Sequence, residues 1–298
     1  MAILTVDNLF KNYGSIQALK GISFNVPDGA VFGILGPNGS GKTTLLGIIM
    51  DILKASAGSF RLFDETPSPR HRKEIGTLLE TPNFYHYLSG ERNLRIAAAI
   101  KGRGENDIAK VLEIVDLTNR KHSKFSTYSL GMKQRLAIAS CLLGDPKVLV
   151  FDEPTNGLDP VGIAETRELI KKLNKAGKTI IMASHLLDEV EKVCTHAAIL
   201  QKGILLTHGH VDEILINEDV VELGSQDLEK LSGILNSYPN SISLKRNETH
   251  LELLFPIGMA SLEQLNQYCF NNGIILNHLR LRRKSLETKF FELTSQKN

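Results

Sequence analysis

The chain has 298 residues, of which 42% are hydrophobic and 23% charged, with a formal net charge of +2. That balance fits a globular protein, one large domain or a main domain plus a small one, and excludes a disordered chain. It also argues against broad nucleic-acid binding. No run approaches the roughly 18 apolar residues of a membrane-spanning helix, and Met1–Asp7 lacks the basic and apolar regions of a secretory signal. The three cysteines, Cys141, Cys194 and Cys269, are far apart and form no Cys-x-x-Cys pair. They read as buried reduced thiols rather than a disulfide framework or zinc ribbon.

In chain order, Ala30–Leu35 is an apolar run expected to be a buried strand, followed by a Gly-rich turn and a helix over Thr43–Ile49. Ile108, Val111, Leu112 and Val115 repeat at helical spacing and predict an amphipathic helix. Lys147–Phe151 and Thr179–Ala183 read as two further buried strands, the second after a charged helix ending near Gly177. Ala197–Leu200 and Ile204–Leu206, joined at Lys202-Gly203, read as a hairpin. Strands alternating with helices predict an α/β fold with a largely parallel core sheet. After about residue 212 the texture changes. Polar-apolar alternation in Ser241–Leu244 and His250–Phe255, a helical pattern over Ser261–Phe270, and a basic stretch Arg280–Lys284 predict a small α+β appendage over residues 213–298. The basic stretch reads as a solvated strand face, and His208-x-His210 as a plain loop, since no third metal ligand stands near it.

Gly36-Pro37-Asn38-Gly39-Ser40-Gly41-Lys42-Thr43 fits the phosphate-binding P-loop and lies between an expected strand and helix, as that motif requires. Its glycines let backbone N–H groups approach phosphate oxygens, and the helix that follows, through Thr44, aims its positive end at the anion. Lys42 is expected to reach the terminal phosphates and Thr43 to ligate Mg²⁺. Val148–Glu153 is an apolar strand ending in two carboxylates. The P-loop alone leaves kinases, GTPases and ATPases open; Asp152 is expected to hold Mg²⁺, and Glu153 to polarise an attacking water, which points to hydrolysis rather than transfer to a bound acceptor.

Tyr128-Ser129-Leu130-Gly131-Met132-Lys133-Gln134-Arg135 resembles the signature motif of ABC-transporter ATPase subunits, with Leu130 and Met132 replacing the usual Gly and Gln. Asn156–Pro160 resembles the D-loop of that family, Ser184-His185 its switch histidine, and Tyr13 the aromatic that stacks on adenine. The resemblance covers residues 1 to about 210. It implies a P-loop NTPase fold with a RecA-like core, a helical subdomain and an antiparallel β subdomain over residues 1–212, the appendage following. It further implies two ATPase subunits closing head to tail around ATP and Mg²⁺. Ser129 and Gly131 would then cap the γ-phosphate held by the other subunit, His185 would hydrogen-bond the γ-phosphate beside its own subunit's phosphate loop, and Asp159 would cross the interface. Taken alone, Ser129 is a helix cap and Asp159 an Asp-Pro turn. Integral membrane permease subunits on separate chains are the implied partners, contacted around Tyr85–Arg95, with this chain cytoplasmic on the inner membrane face and no nucleic acid involved.

Where the family usually carries Gln near the metal, the segment Ile75–Tyr85 offers Glu80. An anionic carboxylate is a harder Mg²⁺ ligand than an amide. Glu at this place resembles lantibiotic-immunity and bacitracin-resistance exporters, which favours an antimicrobial peptide or drug as cargo while lipid and polysaccharide stay open. The alternatives are an import subunit, or an ABC ATPase acting on ribosomes or DNA. Against the latter, this chain has one cassette and no heptad array.

Overall fold

A computed structural model describes residues 2–79, 83–215, 219–256, 258–283, 286–287 and 289–290. The chain divides into two compact units, Met1–His210 and Val211–Asn298. The first runs β1 (Ala2–Tyr13), β2 (Ile16–Pro27), β3 (Val31–Leu35), α1 (Lys42–Ile49), β4 (Ala57–Leu62), α2 (Pro69–Lys73), β5 (Ile75–Leu78), α3 (Gly90–Lys101), α4 (Ile108–Ile114), α5 (Leu130–Leu142), β6 (Val148–Asp152), α6 (Pro160–Lys175), β7 (Thr179–Ser184), α7 (Leu187–Val193), β8 (His196–Gln201) and β9 (Ile204–His210). The second runs α8 (Val211–Leu215), β10 (Asp219–Ser225), α9 (Leu228–Leu235), β11 (Ser243–Arg246), β12 (Leu251–Phe255), α10 (Leu262–Asn271) and β13 (Leu276–Arg283).

The first unit is built on a six-stranded sheet in the order β5-β6-β7-β3-β8-β9. Its first five strands are parallel, and β9 returns antiparallel to β8. Every residue of β3, β6 and β7 is buried, so these strands are apolar without alternation, as a sheet covered on both faces requires. Lys202 and Gly203 turn the last hairpin with φ of 48° and 79°, the pair of positive values that a two-residue turn needs. His208 and His210 therefore lie on β9, opposite Ala198 and His196, and not in a loop: the ladder with β8 continues past the apolar residues that marked the hairpin.

A second sheet, β2-β1-β4, is antiparallel. Leu4, Leu9, Ile22 and Val26 of this sheet share one core with Leu45, Leu46 and Ile48 of α1 and Phe32 and Ile34 of β3. Phe24 stacks on Phe32 with ring centroids 5.3 Å apart. The helices α3, α4 and α5 pack on one another; Ser89 caps α3, and Gly102, at φ 64°, ends it. All three cysteines are free and buried.

In the second unit β11-β12-β10-β13 form an antiparallel sheet. Val221, Leu223, Leu251, Leu253 and Phe255 meet Leu231 and Leu235 of α9 and Leu265 and Cys269 of α10 in a separate core. Arg280 and Arg282 lie on β13, one residue out of phase with Leu279 and Leu281, in line with a polar strand face. The alternation at Ser241–Leu244 begins two residues before β11 does, and Ile242 is exposed.

Candidate active site

The phosphate loop connects β3 to α1. At Gly36 (φ 155°) a Cβ would come within 2.2 Å of the Leu200 carbonyl, and at Gly41 (φ 107°) within 2.8 Å of the Ala18 carbonyl. No other residue fits either place, so β2 and β8 hold the loop's shape from behind. Lys42 is 5% exposed. Its Nζ donates to the carbonyls of Gly36 at 2.8 Å and Pro37 at 3.4 Å and lies 3.4 Å from Glu153 Oε1. Ser40 Oγ is buried with no hydrogen-bond partner among the described residues. The Thr43 hydroxyl donates to Asp152 Oδ2 at 2.8 Å.

Asp152 is the last residue of β6 and is buried. Glu153, the next residue, turns into the left-handed region at φ 49° while its N–H donates to the Ala183 carbonyl of β7 at 3.0 Å. Two successive strand residues would point to opposite faces; this turn gives Glu153 its own direction. One of its carboxylate oxygens faces Lys42, and the other lies 2.8 Å from His185 Nδ1. The His185 N–H also donates to that oxygen at 3.4 Å. Glu153 thus links the phosphate loop to the residue that follows β7.

A cleft of about 710 Å³ opens over this arrangement, lined by residues 38–44 of the phosphate loop and by Glu153. Its remaining lining is Ser15–Ala18 and Lys20 of the β1–β2 hairpin and Lys202 of the β8–β9 turn. Sequence reasoning did not find Gln17, Lys20 or Lys202. They arrive because the Lys20 N–H donates to the Gly203 carbonyl at 2.9 Å, a contact between distant segments that carries no local signal. Lys20, Lys202 and Lys42 make three cations around a loop rich in backbone N–H groups, a field suited to a polyanion.

Other sequence-predicted residues stand apart from this cleft. Tyr13, at the end of β1, is 44% exposed and carries Lys11 Nζ 4.9 Å above its ring. Ser129 caps α5 by accepting from the Met132 N–H at 3.2 Å. A Cβ at Gly131 would meet nothing within 4 Å, so this turn of α5 presents bare backbone. Asp159 caps α6, accepting from the Gly162 N–H at 2.8 Å. Glu80 lies outside the described residues. Among the described residues no helix is long and apolar enough to cross a membrane.

The family described as "ABC transporter" matches residues 19–156. The chain is 39% identical to the uncharacterized ABC transporter ATP-binding protein YhcH of Bacillus subtilis, over 99% of this chain and 96% of that one. It is 32% identical to the bacitracin transport ATP-binding protein BcrA of Enterococcus faecalis, over 98% and 96% of the two chains. Among solved structures it is similar to cbiO1 of Clostridium perfringens, part of the ABC transporter complex cbiONQ, with a TM-score of 0.65 and 34% identity over 72% of this chain and 90% of that one. The phosphate loop, the carboxylate pair beside it and these near full-length similarities agree: the chain belongs to the ABC transporter ATP-binding proteins, as a subunit that binds ATP and couples its hydrolysis to transport.

Proposed function

We propose that this chain drives an exporter as one of two identical ATPase subunits that close head to tail over two ATP molecules. The observation that carries the chemistry is the meeting of Lys42 and His185 on the two oxygens of Glu153, beside the Thr43–Asp152 pair. In this reading Lys42 exchanges the Gly36 and Pro37 carbonyls for the β- and γ-phosphates. The backbone of Gly36–Gly41, with Thr44, holds the other phosphate oxygens, and Tyr13 stacks on the adenine. Glu153 accepts a proton from the attacking water, and His185, which already shares a hydrogen bond with Glu153, orients that carboxylate and contacts the γ-phosphate.

Thr43 and Asp152 offer hard oxygen donors at the mouth of a loop whose Gly36 leaves room for nothing larger than hydrogen. That donor set suits Mg²⁺, and we assign the ion to these two residues, with Glu80 as a further ligand. Bound there, Mg²⁺ would neutralise phosphate charge. Ser129 and the bare backbone at Gly131 serve the partner copy's γ-phosphate, using the N-terminal end of α5, and Asp159 lies across the same interface.

The ATPase chemistry belongs to residues 1–212, and 213–298 form an accessory domain. The transport path belongs to permease subunits on separate chains, which would hold this chain at the inner face of the cell membrane through contacts around Tyr85–Arg95. The similarity to a bacitracin transport protein and the Glu at position 80 support export of an antimicrobial peptide or drug.

Glu153→Gln tests the assignment. We expect it to retain ATP, to lose phosphate release by at least about 100-fold, and to elute as a dimer when ATP is present. Turnover at the wild-type rate would refute the role of Glu153. Recovery of the wild-type chain from native membranes without a permease polypeptide would refute the partnership.

A further inference from the structure

The sheet of the second unit has two unlike faces. Val221, Leu223, Leu251 and Leu253 face α9 and α10. The intervening residues, Glu222 of β10, Glu252 of β12 and His278 and Arg282 of β13, lie on the other face. Glu222 and Glu252 are direct cross-strand partners, two carboxylates on one face with their Cα atoms opposed. Like charges so placed repel, and Glu222 is 8% exposed, so water screens it poorly.

Two histidines complete the group. One ligand atom each from Glu222, Glu252 and His250 lies within 4.8 Å of the others. His278 Nε2 stands 3.2 Å from Glu222 Oε2, and the His250 and His278 rings are 6.2 Å apart. Arg282 donates to the other oxygen, Oε1, at 3.3 Å, so it engages Glu222 from a different side. Asn247 Nδ2 donates to Glu252 Oε1 at 3.0 Å and lies 3.1 Å from His250 Nε2. Among the described residues the only ion-pair partner of Glu252 is His250, at 3.8 Å. Lys245 and Arg280 are in register with the two glutamates, yet neither forms an ion pair with them among the described residues.

We propose that Glu222, His250, Glu252 and His278 bind a divalent transition-metal ion of the zinc class, at a site separate from the nucleotide cleft. Two imidazole nitrogens with two carboxylates suit Zn²⁺, whereas Mg²⁺ and Ca²⁺ favour oxygen donors throughout. The ion would sit between the opposed carboxylates and relieve their repulsion. It would replace the His278–Glu222 and His250–Glu252 contacts with coordination bonds, joining β10, β13 and the start of β12. Arg282 and Asn247, already bonded to the two carboxylates, would orient them from outside.

The full-length chain, stripped with a chelator and free of nucleotide, is titrated with ZnCl₂ by calorimetry. The expected result is one equivalent of zinc bound, no comparable heat from MgCl₂, and affinity weaker by at least about tenfold in both His250→Ala and His278→Ala. Both histidines lie at least partly at the surface, and circular dichroism checks that each variant keeps its fold. His208→Ala/His210→Ala, which changes the other histidine pair, should bind zinc as the wild type does. Absence of a stoichiometric zinc equivalent, unchanged affinity in His250→Ala and His278→Ala, or its loss in His208→Ala/His210→Ala would each overturn the proposal.

Discussion

Cys141 shows how strongly burial governs single groups in this chain. Loss of water around its thiol outweighs the nearby Lys101 charge and pushes its pKa up to about 11; burial also raises Cys194 and Cys269. Only thiolates react readily. At pH 8 a thiol reagent should therefore leave the native protein almost unlabelled and modify three cysteines once guanidinium unfolds it, as absorbance at the reagent's chromophore would report. Asp145 shows the opposite sign. The Lys178 Nζ donates to it at 2.7 Å and holds its carboxyl below the usual range. A depressed folded-state value adds stability above the unfolded pKa, and that stability is lost as pH falls through the folded value. Asp145→Asn should lower Tm slightly at pH 7, with the gap to wild type closing in acid melts; the effect is small because the Asp145 side chain is largely exposed and water screens it. At this scale the legible residues were those whose chemistry is fixed by short spacing, such as Gly36–Thr43 and Asp152-Glu153. Lys20 and Lys202 were not legible, because a lysine in a strand or a turn looks like any other until two distant segments meet.

Among the elements, α5 joins two roles at one end. Ser129 caps it through the Met132 N–H, and the same end is the surface we assign to the partner's γ-phosphate. Removing the cap in Ser129→Ala should cost about 1 kcal/mol, visible as a lower Tm. Ser129→Asp separates the roles. It keeps a capping oxygen, so Tm should stay near wild type, while its charge opposes the phosphate and should lower ATPase turnover by at least about tenfold. A turnover change no larger than that of a simple cap variant would assign Ser129 to structure alone. The strands β3, β6 and β7 were readable because full burial makes them unbroken apolar runs. The pair β1–β2 was not, since its register shifts at four places and breaks the period of two. Strand β10 was also missed: its residues are nearly all buried, and Glu222 and Gly224 interrupt the apolar run.

At the scale of the whole molecule, each unit has its own core, and every residue lining the nucleotide cleft belongs to the first. A fragment ending at His210 should bind a fluorescent ATP analogue about as tightly as the full chain; a large loss would show that the second unit helps shape the cleft. The first unit also imposes an order of assembly during synthesis. The central strand β3 pairs Val31 with Ile180 of β7 and Phe32 with His196 of β8. A ribosome adding roughly 5–20 residues per second needs on the order of 8–30 s to supply those neighbours after β3 has been made. Through that interval Val31–Leu35 lacks its full set of sheet neighbours, and Gly36 cannot lie against the Leu200 carbonyl. The nucleotide pocket, whose loop is synthesised well before β7 and β8, is therefore among the last parts of its unit to take shape, and a nascent chain stalled before Leu200 should hold an apolar strand in search of its sheet neighbours rather than an ATP-binding intermediate.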